Sequence, residues 1–372
     1  MTGHAPIFVT QPSVPQISEL LPLLTEIWER RYLTNNGPIL QRLEAALCEH
    51  LGLAHITLVA NATLGLFIAL RGLGPGTEVI TTPFSFVASA HAITWAGARP
   101  VFADIDPITL NLDLDSVARA ITPRTGAILA VHCFGNPCDV GGLERIAKQH
   151  GLRLIFDAAH AFGVRRNGRS ILSRGDLSVV SFHATKVFST VEGGAIISRD
   201  RKTKLELDRA CNFGIVDEAT IPTVGLNAKM SELHAAFGLA LLPHIPALIE
   251  GRRQVAERYL EAFKGVSSIR CICSQDPGHN YYAFPILVSA RSRRSRDALH
   301  TLLKEHNIFA RRYFHPLLSD LPPYRQASIE TQSLLPVARD IANRVLCLPI
   351  YPHLEPSAQD RIIAIIRGAV AN

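Results

Sequence analysis

Leu152-Arg153-Leu154-Ile155-Phe156-Asp157-Ala158-Ala159-His160 is an apolar run that gives out in an acid. A second run, Leu177-Ser178-Val179-Val180, leads through Ser181-Phe182-His183-Ala184-Thr185 to Lys186. Short runs of this kind read as strands buried on both faces, as in a parallel sheet covered by helices. Working outward, the same pattern recurs. Apolar strands are predicted at 56–59, 78–81, 100–103, 127–131 and 153–156. Helices with apolar residues at 3.6-residue spacing or Ala-rich composition are predicted at 39–51, 63–70, 85–96, 114–120 and 142–150. This alternation defines an α/β protein with a mostly parallel sheet flanked by helices.

Asn167-Gly168 interrupts the alternation with a tight hairpin turn before the strand that leads to Lys186. A strand at 194–198 and helices at 230–242 and 246–263 follow. Beyond residue 264 the pattern is a smaller α/β layer: strands at 281–288 and 308–314, helices at 295–306, 337–344 and 355–370. The chain is therefore divided into a large domain, 1–245, and a small C-terminal domain, 246–372.

Of the 372 residues, 47% are hydrophobic and 19% charged, and the net charge is +6. That excess suits an anionic substrate but is too dispersed for nucleic acid. The densest basic run, Arg291-Ser292-Arg293-Arg294-Ser295-Arg296, has no interleaved aromatics to stack bases. Seven scattered cysteines lack the paired spacing of a zinc site, so no metal is expected. They read as reduced thiols of a cytoplasmic protein. Residues 1–15 lack the charged-then-apolar pattern of a signal segment. No apolar run approaches the ~20 residues of a membrane span, so no membrane is expected.

Asp157 and Lys186 both fall where a strand ends, and in open α/β sheets ligands bind at the carboxyl ends of strands. A lysine that can hold an aldehyde and an acid that can keep a pyridine nitrogen protonated are what pyridoxal phosphate requires of a protein. Asp157 could instead cap a helix, but a carboxylate ending a fully apolar strand is costly unless paired, which favours the cofactor role. His160 could reach the ring hydroxyl from the same turn. Asn61-Ala62-Thr63, between a strand and a helix, offers backbone N–H groups and a hydroxyl to a phosphate. Ser181 can add another hydroxyl. Phe86 could cover the ring, although Phe84 and Phe86 are both otherwise ordinary core residues.

Taken together, several phrases resemble the DegT/DnrJ/EryC1/StrS family of sugar-nucleotide aminotransferases, within the fold type I pyridoxal phosphate enzymes. They are Thr34-Asn35-Asn36-Gly37-Pro38, Pro83-Phe84-Ser85-Phe86-Val87-Ala88-Ser89, the run from Gly97 to Asp106, Asp157-Ala158-Ala159-His160-Ala161, the Ser181–Lys186 phrase, Glu192-Gly193-Gly194 and Asn227-Ala228-Lys229-Met230-Ser231-Glu232. The resemblance implies that Lys186 binds the cofactor aldehyde and Asp157 its pyridine nitrogen. It sets His160 by the ring hydroxyl, Phe86 over the ring, and Ala62, Thr63 and Ser181 at the phosphate. It matches Asn227 to a residue that reaches the phosphate from a neighbouring subunit, which implies a homodimer with shared active sites.

Many family members have Ser-Gly-Thr in place of Asn61-Ala62-Thr63 and Arg in place of Lys229. Both variants are similar to the branch that aminates C4 of dTDP-4-keto-6-deoxy-D-glucose with L-glutamate as donor. The intact Lys186 disfavours the branch that dehydrates, which carries His there. Tyr313 and His315, closing a predicted strand, and Lys229, beside Asn227, are candidate substrate-wall residues. Amination at C3, the galacto product at C4, and a non-catalytic binding protein remain as alternatives.

Overall fold

The computed structural model describes residues 5–274, 276–328 and 335–370. Seven strands form its main sheet in the order Ile56–Val59, Gly194–Ser198, Leu177–Ser181, Arg153–Asp157, Thr125–Val131, Glu78–Thr81, Arg99–Phe102. Gly194–Ser198 runs antiparallel to both neighbours, and every other pairing is parallel. The sheet is buried on both faces, as its Val- and Ile-rich strands require: Val79, Ile128, Leu129, Ile155, Val179 and Ile196 have no exposed surface. The crossover helices Ala62–Leu70, Val87–Trp95, Leu114–Ala120 and Val140–His150 lie where the sequence pattern sets them, within two residues at each end. Asn167 and Gly168 take positive φ and join the two-residue strands Arg165–Arg166 and Arg169–Ser170 in a hairpin.

A second sheet has three antiparallel strands, Ile269–Cys271, Phe284–Val288 and Val345–Leu348. It packs on Ile245–Phe263, Arg296–Glu305 and Pro356–Val370 through a core that includes Tyr259, Leu299, Leu303, Ile362 and Ile366. Two strands are shorter than the sequence suggests. The strand expected at 281–288 begins only at Phe284, because Tyr281 adopts φ 51°, outside the extended region. The strand expected at 308–314 ends at Phe309; Arg311 pairs only as an isolated bridge with Cys347, and the chain then turns. Tyr313 and His315 therefore lie on a loop. Ile308–Phe309 pairs with Ile7–Phe8 from the other end of the chain.

Three helices among the described residues escape the pattern reading, the short Pro322–Ser328 and two longer ones. Ile17–Arg30 carries an internal Pro22, yet a capping box between Gln16 and Glu19 starts it. Arg201–Cys211 is mostly polar and is capped by Asp200. The helices read as separate at 230–242 and 246–263 run on through Leu242–His244 as one path, Glu232–Phe263. By length and composition this path is apolar enough to cross a membrane, a correction to the sequence reading. Half of its most apolar window is buried in the fold, among it Ala235, Ala236, Leu241 and Ile245.

Named contacts join the two layers. Asp104, at the end of the Arg99–Phe102 strand, accepts from the Val337 and Ala338 amides at 2.9 and 2.8 Å, at the start of helix Pro336–Arg344. Arg252, buried in Ile245–Phe263, donates to the carbonyl of Ile350 at 3.1 Å.

Candidate active site

The carboxyl ends of the central strands open into a cavity of about 370 Å³. Asp157, the last residue of Arg153–Asp157, reaches it from the floor and is buried. Its Oδ2 accepts from Ser89 Oγ at 2.7 Å and its Oδ1 from the Ala159 amide at 3.1 Å. Burial raises the Asp157 pKa, and these hydrogen bonds together with the nearby Lys186 charge oppose the rise. Ser85 Oγ lies 2.9 Å from Ser89 Oγ and extends the chain of hydroxyls.

Lys186 stands across the cavity, five residues past the end of Leu177–Ser181. Its Nζ donates to the Tyr282 hydroxyl at 3.1 Å and lies 4.5 Å from the Tyr282 ring centre. Burial pulls its pKa down to about 8, while the Asp157 charge works the other way. A lysine near that value holds a usable fraction of neutral amine at neutral pH. His160 stacks on Tyr282 with ring centres 4.3 Å apart and planes 16° apart. Burial holds its pKa well below the ordinary range, so the ring is neutral. Its Nδ1 accepts from the Phe134 amide at 3.2 Å, which leaves the proton on Nε2 as a donor.

Ala62 and Thr63 open helix Ala62–Leu70, and their amides have no acceptor within the helix. The Asn61 side chain caps this end by accepting from the Leu64 amide at 2.9 Å, so among the described residues the first two N–H groups stay free for an anion. The helix start lies against Gly194. A Cβ there would stand 2.8 Å from both the Ala62 nitrogen and the Val180 carbonyl oxygen, which only glycine avoids. Ser181 is buried at the cavity edge. Phe86 caps the next helix and is 61% exposed, whereas Phe84 is buried. A large aromatic left open at the lip of a cavity is available to cover a flat ligand.

Tyr313 lines the same cavity. Three other predicted residues do not. Asn227 is exposed and pairs through its backbone with Asn212, and His315 is exposed on the loop. Lys229 faces a different cleft, donating to Asn212 Oδ1 at 2.9 Å above the Phe213 ring. Two contributors were absent from the sequence reading. Ser89 had a signal, since Ser85 and Ser89 are four apart within the helix expected at 85–96. Tyr282 had none, because it enters from the edge of the second sheet.

These groups fit pyridoxal phosphate. A buried carboxylate that, among the described residues, has no cation in hydrogen-bond contact suits a protonated ring nitrogen. An amine of lowered pKa suits an aldehyde, and two free helical amides suit a phosphate.

The model of the DegT/DnrJ/EryC1/StrS aminotransferase family matches residues 16–367. Two similar proteins are described as dTDP-4-amino-4,6-dideoxy-D-glucose transaminases. The one from Shigella dysenteriae is 47% identical over 365 residues, covering 97% of this chain and 98% of its own. The one from Escherichia coli is 46% identical over 362 residues, covering 97% and 98%. Among solved structures, DesI with its TDP-sugar product superposes with a TM-score of 0.93 at 35% identity, covering 99% of this chain and 94% of that one. Helicobacter pylori PseC, an aminotransferase of pseudoaminic acid biosynthesis, gives 0.91 at 26%, covering 98% and 99%. With its sheet, its cavity and this likeness along nearly its whole length, the chain belongs to the DegT/DnrJ/EryC1/StrS family of pyridoxal phosphate-dependent aminotransferases.

Proposed function

We propose that this enzyme moves the amino group of L-glutamate onto C4 of dTDP-4-keto-6-deoxy-D-glucose, giving dTDP-4-amino-4,6-dideoxy-D-glucose. The observation that carries the reading is the convergence of Lys186, Asp157, His160 and the Ala62 and Thr63 amides on one cavity. The choice of sugar is supported by the 46–47% identity to transaminases described by that product.

Pyridoxal phosphate, when bound, holds the amino group between the two half-reactions and takes up the electron pair left on carbon when a proton departs. The protein's residues do the rest. Asp157, whose carboxyl oxygens accept from Ser89 and the Ala159 amide, holds the ring N–H. His160 Nε2–H donates to the ring oxygen. Ala62, Thr63 and Ser181 bind the phosphate, and Phe86 covers the ring and excludes water. Lys186 Nζ takes the proton from the α-carbon of glutamate and, in the second half, returns one to C4 of the sugar. Tyr313, which lines the same cavity, contacts the sugar.

The homodimer with shared sites belongs to the same reading. Asn227 and Lys229 lie outside the cavity of their own protomer, which suits residues that serve a neighbour's site. Phe213, Ile215, Val216, Ile221 and Val224 stand exposed near them in sequence, as the apolar part of an interface would. We place the enzyme in the cytoplasm, in keeping with seven free cysteines.

The test is to incubate the protein with pyridoxal phosphate, L-glutamate and a panel of dTDP-ketosugars, and to assign the product by NMR. The C4 gluco amine is expected. A C3 amine or the galacto epimer overturns the substrate, and turnover by Lys186→Ala overturns the roles.

A further inference from the structure

Tyr282 approaches the site from outside the main sheet, in the segment that precedes the strand Phe284–Val288. It makes two contacts at once. Its hydroxyl accepts from Lys186 Nζ at 3.1 Å, and its ring stacks on His160 at 4.3 Å. It is also held from behind. Asn280, buried, accepts from the Tyr282 amide through Oδ1 at 3.1 Å. The Nδ2 of the same side chain donates to the carbonyls of His160 and Phe162 at 2.7 and 2.9 Å. One amide group thus ties the backbone of Tyr282 to the turn that carries His160. Gly135 leaves room for it, since a Cβ there would stand 2.7 Å from Asn280 Oδ1.

We propose that Tyr282 is a positioning residue for Lys186: its hydroxyl holds the amine in reach of the reacting carbon whenever that amine is free of the cofactor. The proposal rests on Lys186 as the proton-transferring group, as argued above. The chemistry of a phenol suits the task. A hydroxyl accepts from an ammonium and donates to a neutral amine, so the contact survives as Lys186 gains and loses its proton. The phenol itself stays protonated, because burial pushes its pKa up. No proton passes from Tyr282 to the substrate; the O–H only rotates. Without it, a four-carbon lysine stem has many rotamers and few reasons to point at the reacting carbon. Asn280 acts one step further back, fixing where the phenol stands.

Asp157, His160 and Tyr282 are tied to Lys186 by charge or hydrogen bond, and the titratable side chains of His183, Glu192 and Tyr313 line the same cavity. Asp157 favours the ammonium by its charge, and neutral His160 offers no counter-ion. The Tyr282 oxygen adds a charge-assisted hydrogen bond to the ammonium that is stronger than its bond to the neutral amine. Removing the hydroxyl therefore lowers the Lys186 pKa, by about half a unit to one unit.

Tyr282→Phe keeps the ring on His160 and removes only the hydroxyl. In the protein stripped of its cofactor, the pH dependence of Lys186 labelling by an amine reagent, read by mass spectrometry, should move to lower pH. In the loaded enzyme, the single-turnover rate with glutamate should fall about tenfold or more, with cofactor affinity unchanged. Tyr282→Leu should in addition weaken cofactor binding, because the His160 stack is lost. An unmoved labelling profile together with a wild-type single-turnover rate in Tyr282→Phe overturns the proposal. Turnover by Lys186→Ala instead overturns the role of the lysine, a separate outcome.

Discussion

Ser89 donates to Asp157 across the floor of the cavity at 2.7 Å, joining the helix Val87–Trp95 to the end of the strand Arg153–Asp157. The bond matters because burial raises the Asp157 pKa and the bond opposes it. In Ser89→Ala the Ala159 amide and the Lys186 charge remain to favour the carboxylate, and its pKa climbs further. A higher pH is then needed to keep Asp157 ionised. The acid limb of the kcat profile is expected to move to higher pH, and the rate at neutral pH to fall about tenfold, as for one lost hydrogen bond to a charge. Ser89→Thr, which keeps the hydroxyl, should restore most of it.

Gly194→Ala addresses the phosphate cradle. The new methyl would stand 2.8 Å from the Ala62 nitrogen and the Val180 carbonyl oxygen. Both are backbone atoms of packed elements and cannot swing aside as a flexible side chain can. The start of helix Ala62–Leu70 must shift, taking the two free amides with it. Cofactor affinity, titrated by absorbance, is expected to weaken about tenfold or more. An unchanged affinity would show that the helix start does not hold the phosphate.

Glu232 supports a different helix. Its two carboxylate oxygens accept from the Ile39 and Leu40 amides at 2.9 and 2.8 Å, at the start of Pro38–Leu51, and it is buried. Gly37 makes the fit possible, since a Cβ there would lie 2.5 Å from the Glu232 carboxyl carbon. Glu232→Ala strands two buried donors and should lower unfolding stability by about 2–4 kcal/mol in a denaturant titration. Glu232→Gln, which can still accept once, should cost less.

The strand ends were legible because a doubly covered sheet is written as short runs of Val, Ile and Leu, and an acid closing such a run is conspicuous. Asp157, Lys186, Ala62 and Thr63 could therefore be read from local pattern. Strand order could not, since it depends on crossovers far apart in sequence. Tyr282 stayed hidden for the same reason: it is 96 residues from Lys186 and meets it only through packing of the second sheet. The helix Ile17–Arg30 was obscured by Pro22, which opposes helix by local rule although the capping box outweighs it. Lys229 and His315 were assigned to the substrate from position in sequence alone, and within one protomer they face elsewhere.

Lys186 also makes the cofactor-free protein pH-sensitive. Its pKa is about 8 when folded against 10.5 for a free lysine. A depressed folded pKa contributes stability that is present above the unfolded value and lost as pH falls through the folded one. The stripped wild type should gain stability between about pH 8 and 10.5 relative to Lys186→Met. At pH 7 the methionine variant should be the more stable, with a higher Tm. Parallel Tm curves for the two proteins across that range would refute this.

His132 governs the acid side. It has no exposed surface, stacks on Phe156 with ring centres 4.6 Å apart, and accepts from the Cys138 amide at Nδ1. Its Nε2 is buried with no partner among the described residues. Burial lowers its pKa from 6.5 to about 3, so it folds as a neutral ring directly behind the residue that precedes Asp157. The sign follows from linkage: the unfolded chain binds the proton first, so stability is full above pH 6.5 and declines as pH falls toward about 3. Replacing His132 with Gln keeps an acceptor for the Cys138 amide and removes the titration. The variant should lose about 1 kcal/mol of stacking at pH 7, yet lose less further stability than the wild type between pH 6.5 and 4. Equal acid slopes in denaturant titrations of the two proteins would assign the acid sensitivity to His160 and His279, the other buried rings of lowered pKa.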